Sequence, residues 1–327
     1  MRTVALLMLC ACTAGTTSGG GGGSSTGGGA STGGGVSSGG GAATGGGTAS
    51  GGGGAATGGG SATGGGGSAT GGGGAADAGM KSPKRGIAYD LASAADVQAL
   101  SGGVSWFYDW GTTPHASGLD YYPMLWNGTF DAAAVSSWLH SHPEVHFILV
   151  MNEPNLTSQS NLTPQQAAAV WPKYEAIADD AGVQIVGPQI TWGTMPNYGD
   201  PVEWLDAFYS EYQNANGGRD PRIDVLGFHW YDYGLSGQLD RLTKYNKHFW
   251  VTEMANWHSQ NDGAQIDTLE KQKTQMTAMV QTCESRSDVD RYAWFTGRWS
   301  PDPHFDSLLA DAGELTELGQ LYVTLPY

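Results

Sequence analysis

Glu153 and Glu253 are the residues best placed to do chemistry together. Each closes a run that reads as a buried strand: His146-Phe-Ile-Leu-Val-Met151-Asn152 precedes Glu153, and Phe249-Trp-Val-Thr252 precedes Glu253. Glycoside hydrolysis needs two carboxyl groups flanking the scissile bond. One holds a proton for the leaving oxygen, and the other attacks or activates water. Aromatic faces bind sugar rings without demanding charge, and many of the 12 tryptophans fall at the ends of strand-like runs. His140, His142 and His146 look at first like a metal cluster. They precede a strand, on the side of the domain away from the glutamates, and read as turn or surface residues. No catalytic metal and no cofactor is expected.

Two residues a hundred positions apart need a scaffold to meet. Eight strand-like runs fill the second part of the chain: Arg85–Asp90, Val104–Trp110, Tyr121–Trp126, Val145–Asn152, Val183–Ile190, Ile223–Trp230, Phe249–Glu253 and Arg291–Thr296. Several are continuously apolar, as strands covered on both faces are. Helical patterns fall between them. Thr163-Pro164-Gln165-Gln166 supplies an N-cap, a proline at the first helical position and a capping-box glutamine. Ala167, Val170, Trp171, Tyr174 and Ile177 follow at helical spacing, and Ala181-Gly182 ends the segment. Ile266 to Cys283 and Glu314 to Val323 read as two further helices. Alternation of this kind over residues 81–327 predicts an α/β domain built as a (β/α)8 TIM barrel. An open doubly wound sheet is the alternative, but no glycine-rich phosphate turn follows the first strand. Barrel enzymes carry their chemistry at the carboxyl ends of the strands. Those ends hold Tyr89, Trp110, Trp126, Asn152-Glu153, His229-Trp230 and Glu253, with Tyr231 just beyond, so Tyr89, Trp110, Trp126, His229 and Trp230 are expected to line a sugar cleft. Trp106 and Trp257, and equally Trp110 and Trp126, serve as well for core packing as for cleft wall.

The start of the chain reads differently. Met1-Arg2 and the apolar run Val4 to Ala11 have the form of a signal peptide, too short to span a bilayer. Leu9-Cys10-Ala11-Cys12 resembles a bacterial lipobox, which implies a segment 1–12 removed up to Cys12 and lipidation of its thiol. Residues 13–80 are Gly, Ser, Ala and Thr, with most of the 53 glycines, and predict a disordered linker. Some sixty residues of that kind reach about 40–45 Å, using ~5–6 Å × √n. A tethered surface or extracellular domain follows, touching the membrane only through a lipid anchor. The net charge of −16 argues against nucleic acid and anionic lipid as partners. With one cysteine, Cys283, after the leader, no disulfide framework is available, and Cys283 reads as helix packing. The sequons at Asn127, Asn155 and Asn161 read as incidental.

Further pieces narrow the class. Arg85-Gly86-Ile87-Ala88-Tyr89, Ser105-Trp106-Phe107-Tyr108-Asp109-Trp110, Asn152-Glu153-Pro154, Gly227-Phe228-His229-Trp230-Tyr231, Val251-Thr252-Glu253 and Tyr292-Ala293-Trp294-Phe295 together resemble glycoside hydrolase family 128. That family groups β-1,3-glucanases within the barrel clan of retaining glycosidases, and the resemblance covers residues 84–327. It implies Glu153 as acid/base and Glu253 as nucleophile. It further implies Asn152 as a partner of the sugar 2-hydroxyl, Tyr231 as the residue orienting Glu253, and Trp294 as a stacking platform. The expected activity is endo hydrolysis of β-1,3-glucan of the laminarin or curdlan type, by a monomer. Two alternatives remain open: a barrel glycosidase on another β-glycan such as mannan or cellulose, and a carbohydrate-binding protein on an inactive scaffold. The second is disfavoured because both carboxylates are present.

Overall fold

A computed structural model of the chain describes residues 81–327; Cys12 and the expected linker lie outside the described residues. The described strands are β1 (Arg85–Ala88), β2 (Trp106–Tyr108), β3 (Asp120–Tyr121), β4 (Met124–Leu125), β5 (Phe147–Val150), β6 (Gln184–Ile190), β7 (Val225–Trp230), β8 (His248–Met254) and β9 (Val289–Trp294). The α-helices are α1 (Ala94–Leu100), α2 (Ala132–Ser141), α3 (Pro164–Ala181), α4 (Pro201–Ala215), α5 (Leu235–Leu242), α6 (Leu269–Ser285) and α7 (Glu317–Thr324).

All strand pairs are parallel, in the order β3-β2-β1-β9-β8-β7-β6-β5-β4. Neighbours are therefore consecutive in sequence, except that the first strand lies beside the last. An open doubly wound sheet reverses its order at a switch point, and this one does not. The arrangement is an α/β fold consistent with a TIM-like barrel. The central strands are buried along nearly their whole length, as expected where helices cover one face and a packed interior the other.

The local signals explain most elements. Thr163 caps α3 with its side chain on the Gln166 N–H, while the Gln166 side chain returns to the Thr163 N–H. Gly182 ends that helix in the left-handed conformation, φ 68°. Cys283 is buried on α6 with its sulfur 3.9 Å from that of Met254 on β8, a helix-to-sheet contact. The expected third strand is the exception: it is not one element but two. Tyr122 and Pro123 separate β3, which pairs with β2, from β4, which pairs with β5. Pro123 has no N–H to donate, so the ladder breaks there, although its carbonyl still accepts from Leu149 at 2.9 Å.

Candidate active site

Glu253 enters the site through a fault in the pleat. On β8, Trp250 packs against Trp106, Tyr122 and Phe147, and the Thr252 hydroxyl donates to the Gln189 side chain, so Trp250 and Thr252 face the sheet's inner side. Strict alternation would send Glu253 to the opposite face. The register with β7 instead runs Phe228 to Val251 and then His229 to Glu253, with Thr252 as the extra residue. Such a bulge re-aims a side chain, and here it turns Glu253 inward beside His229.

Glu153 arrives by another route. It lies three residues past β5, with φ 42°, and Met151 before it has φ 61°. Its N–H donates to the Gln189 carbonyl at 2.9 Å, which pins the turn to β6. Trp110, just past β2, has φ 60°. Three non-glycine residues in left-handed backbone around one site is the kind of local strain that gathers at functional centres. Gly227 on β7 is forced by the same crowding: a Cβ there would sit 2.3 Å from the Gln189 side-chain oxygen.

The two carboxyls meet across His229. Its Nδ1 lies 2.9 Å from Glu153 Oε1 and 3.3 Å from Glu253 Oε2, and all three side chains are at most 2% exposed. An oxygen of one carboxyl lies within 4.8 Å of an oxygen of the other. Glu253 Oε1 accepts from the Tyr108 hydroxyl and the Trp110 indole, each at 2.8 Å, and Oε2 accepts from the Tyr231 hydroxyl. Glu153 Oε2 makes no hydrogen bond within the protein. Burial pushes the Glu153 pKa up and the charge of Glu253 adds to this, outweighing the opposing pull of His229. Burial alone would lower His229, but the charges of Glu253 and Glu153 bring it above the ordinary histidine value. Burial, then the Glu253 charge, raises the Tyr108 and Tyr231 hydroxyls well above the tyrosine range, so both remain donors. The arrangement therefore biases one carboxyl toward its protonated form and holds the other between three fixed donors. A cation bound by the same atoms would need Glu153 ionised, against the direction its burial imposes.

Asn152, 1% exposed, donates to Gln159 at 3.2 Å and leaves its Oδ1 without a protein partner. Tyr89 is half-buried; its ring lies against Gly297, where a Cβ would approach to 2.2 Å, and its hydroxyl accepts from Arg298. Trp126 is half-buried at the end of β4, its carbonyl accepting from the Asn152 N–H. Two expected sugar-binding residues need correction. Trp294 is 0% exposed. It shares a face of β9 with Tyr292, which reaches Glu284 on α6, and its ring packs on Tyr322 of α7. It belongs to the layer between sheet and helices and offers no platform. Trp230, 8% exposed, stacks on Phe228 on the face of β7 opposite His229, and its indole donates to the Tyr233 carbonyl. Both errors are of one kind, a pleat parity that a list of strand ends does not reveal. Asn155 of the second sequon is fully buried, donating to the Thr191 carbonyl. His140 and His142 each place Nδ1 against a carbonyl four residues earlier.

Tyr108 was not singled out from the sequence, yet it holds Glu253. The available signal was the period-two row Trp106, Tyr108, Trp110 on one strand, whose first ring packs inside the sheet and whose other two reach the carboxylate. Phe295, past β9, was also missed. It meets the rings of Trp110, Tyr231, Trp257 and Trp299 edge-on.

The profile of the family described as glycosyl hydrolase catalytic core matches residues 86–322. Among solved structures, the chain is similar to a family 128 subgroup II endo-β-1,3-glucanase from Pseudomonas viridiflava. The identity is 58% and the TM-score 0.75, covering 76% of this chain and all of that one. A second subgroup II endo-β-1,3-glucanase, from Sorangium cellulosum, is 34% identical with TM-score 0.62, over 74% of this chain and 98% of the other. Alkali-sensitive linkage protein 1 of Schizosaccharomyces pombe is 27% identical over 261 residues, and the match spans 45% of that protein's length. With its catalytic core matched over residues 86–322 and its fold shared with these enzymes, the chain is a glycoside hydrolase belonging to family 128.

Proposed function

We propose that this enzyme hydrolyses β-1,3-glucan with retention of anomeric configuration, cutting within the chain. One observation carries the mechanism: two buried carboxyl groups with oxygens within 4.8 Å, one biased to keep its proton and one held by three donors. Retaining glycosidases hold their carboxyls about 5–5.5 Å apart, and inverting ones about 6.5–9.5 Å apart to seat a water. In the first step Glu253 Oε attacks the anomeric carbon while Glu153 gives its proton to the departing glycosidic oxygen. The C–O bond breaks and a glycosyl ester forms on Glu253. Glu153, now a carboxylate, takes a proton from water, which attacks the same carbon and frees Glu253. Asn152 Oδ1, unpartnered in the protein, accepts from the sugar 2-hydroxyl. The substrate class and endo action follow the 58% identical relative described as an endo-β-1,3-glucanase.

The scaffold reading goes with it. We take the stretch 120–125 as one interrupted strand bonded to β2 on one side and β5 on the other, which closes an eight-stranded (β/α)8 barrel. The lipobox-like Leu9-Cys10-Ala11-Cys12 and the glycine-rich segment 13–80 support a monomeric catalytic domain tethered at a bacterial envelope by lipid on Cys12. Metabolic labelling with palmitate, lost in C12A, is the expected outcome. Reducing-sugar release from laminarin and curdlan, compared with mannan and cellulose, tests the substrate class. Proton NMR of the first-formed product tests the stereochemistry, with the β-anomer expected. No release from either β-1,3-glucan overturns the substrate reading, and a first-formed α-anomer overturns the mechanism.

A further inference from the structure

Trp257 lies at the site, 8% exposed, with two rings already stacked on it: Tyr231, with centroids 4.0 Å apart and planes at 28°, and His304, at 4.9 Å and 17°. Its edges meet Phe295 and Trp299. Its indole N–H donates to Asp306 Oδ2 at 2.8 Å. Asp306 is fully buried, and its Oδ1 has no partner in the protein. A buried polar side chain with an unpaired oxygen costs stability. A contact that fixes the angle of one indole gives the cost a function. The indole in turn leaves Tyr231 little freedom to tilt, and the Tyr231 hydroxyl is one of three donors on Glu253.

We propose that Asp306 is a positioning residue for the nucleophile, acting through Trp257 and Tyr231. The inference rests on the glycosidase reading of Glu253. The chain of contacts is continuous: Asp306 to the Trp257 edge, the Trp257 face to the Tyr231 ring, the Tyr231 hydroxyl to Glu253. Asp306 is itself held by its loop. Asp302 accepts from the N–H groups of His304, Asp306 and Ser307, which wraps the turn around its carboxylate. Burial first, and the neighbouring Asp302 charge second, push the Asp306 pKa well above the ordinary aspartate value. Asn is nearly isosteric with Asp and keeps an oxygen that accepts from the indole, so Asn at this position preserves the acceptor and Leu removes it.

The groups facing Glu253 are Tyr108 and Trp110 from β2 and its end, His229 and Tyr231 from β7 and its end, and Glu153 beyond β5. Loosening Tyr231 removes one of the three donors that hold the carboxylate in place. The test is the steady-state kinetics of laminarin hydrolysis for wild type, D306N and D306L, with melting temperatures alongside. In D306L, kcat falls about 10- to 100-fold and KM changes little. D306N keeps the wild-type kcat. Should D306L fail to fold, W257F, which keeps an aromatic ring but not the N–H, shows the same loss of kcat. A D306L kcat that matches wild type, or a D306N kcat that falls as far as that of D306L, overturns the inference. Hydrogen exchange at the Trp257 indole N–H, read by NMR, is independent of turnover: slow in wild type and fast in D306L. Equal exchange in both overturns the inference even if the β-1,3-glucan assignment fails.

Discussion

Glu153 and Glu175 are both buried glutamates, and their surroundings push their protons in opposite directions. Glu175 sits on α3 in the helix layer. It accepts from both terminal nitrogens of Arg219 at 3.1 and 2.6 Å, the Arg222 N–H at 2.8 Å and the Tyr212 hydroxyl at 2.7 Å. Burial alone would raise its pKa, but Arg219 and the backbone donor of Arg222 outweigh it, and the group stays ionised below its ordinary range. Glu153 has no arginine or lysine among its contacts; it has a histidine shared with a second carboxyl. There burial wins and the pKa is raised. One environment removes a proton to tie two helices to a loop. The other withholds full compensation, which suits the acid/base role proposed for Glu153.

The comparison breaks most visibly at the proposed nucleophile. E253A should lower kcat on laminarin by on the order of 10⁴-fold or more while the melting temperature changes little, because the lost carboxylate is the one proposed to form the covalent intermediate. E153Q should cost about 10²–10⁴-fold, the usual share of general acid catalysis. Its deficit should shrink on an aryl glucoside whose leaving group needs no proton. Steady-state kinetics on both substrates checks this pair; equal deficits for E153Q on the two substrates would deny it the acid role.

E175A should do the reverse. Activity per folded molecule stays at wild-type level, and denaturant unfolding shows a loss of about 1–2 kcal/mol, discounted because Arg219 is half-exposed. The folded-state pKa of Glu175 is depressed, so its contribution is complete above the unfolded carboxylate value of about 4.5. It is lost as pH falls through the lower folded value. The stability gap between wild type and E175A should therefore close in acid. A gap that stayed constant down to about pH 2 would contradict the ion-pair origin.

The smallest effect sharpens the contrast. His229 lowers the Glu153 pKa, so H229Q should move the basic limb of kcat to higher pH, with a modest loss of rate. A limb moving to lower pH would mean that His229 stabilises the protonated acid instead.

Much of the site was legible because its signals are local. A glutamate after a buried strand, Asn152 beside Glu153, and a capping box at Thr163 can each be read within a few residues. Trp294 and Trp230 were misread because facing depends on pleat parity. Tyr108 was passed over because its partner is 145 positions away. The split at Pro123 was written in the sequence as a missing donor, but a tyrosine- and tryptophan-rich run masked it.

The sequence by itself determined the residue types, the order of strands and helices, and the two carboxyls that the chemistry needs. Only the tertiary structure decided that the Thr252 bulge turns Glu253 inward, that His229 bridges the pair, and that burial raises the pKa of Glu153. The reason is physical: strand and cap preferences are set by neighbours along the chain. A pKa is set by whatever charge and burial the fold brings within a few ångströms.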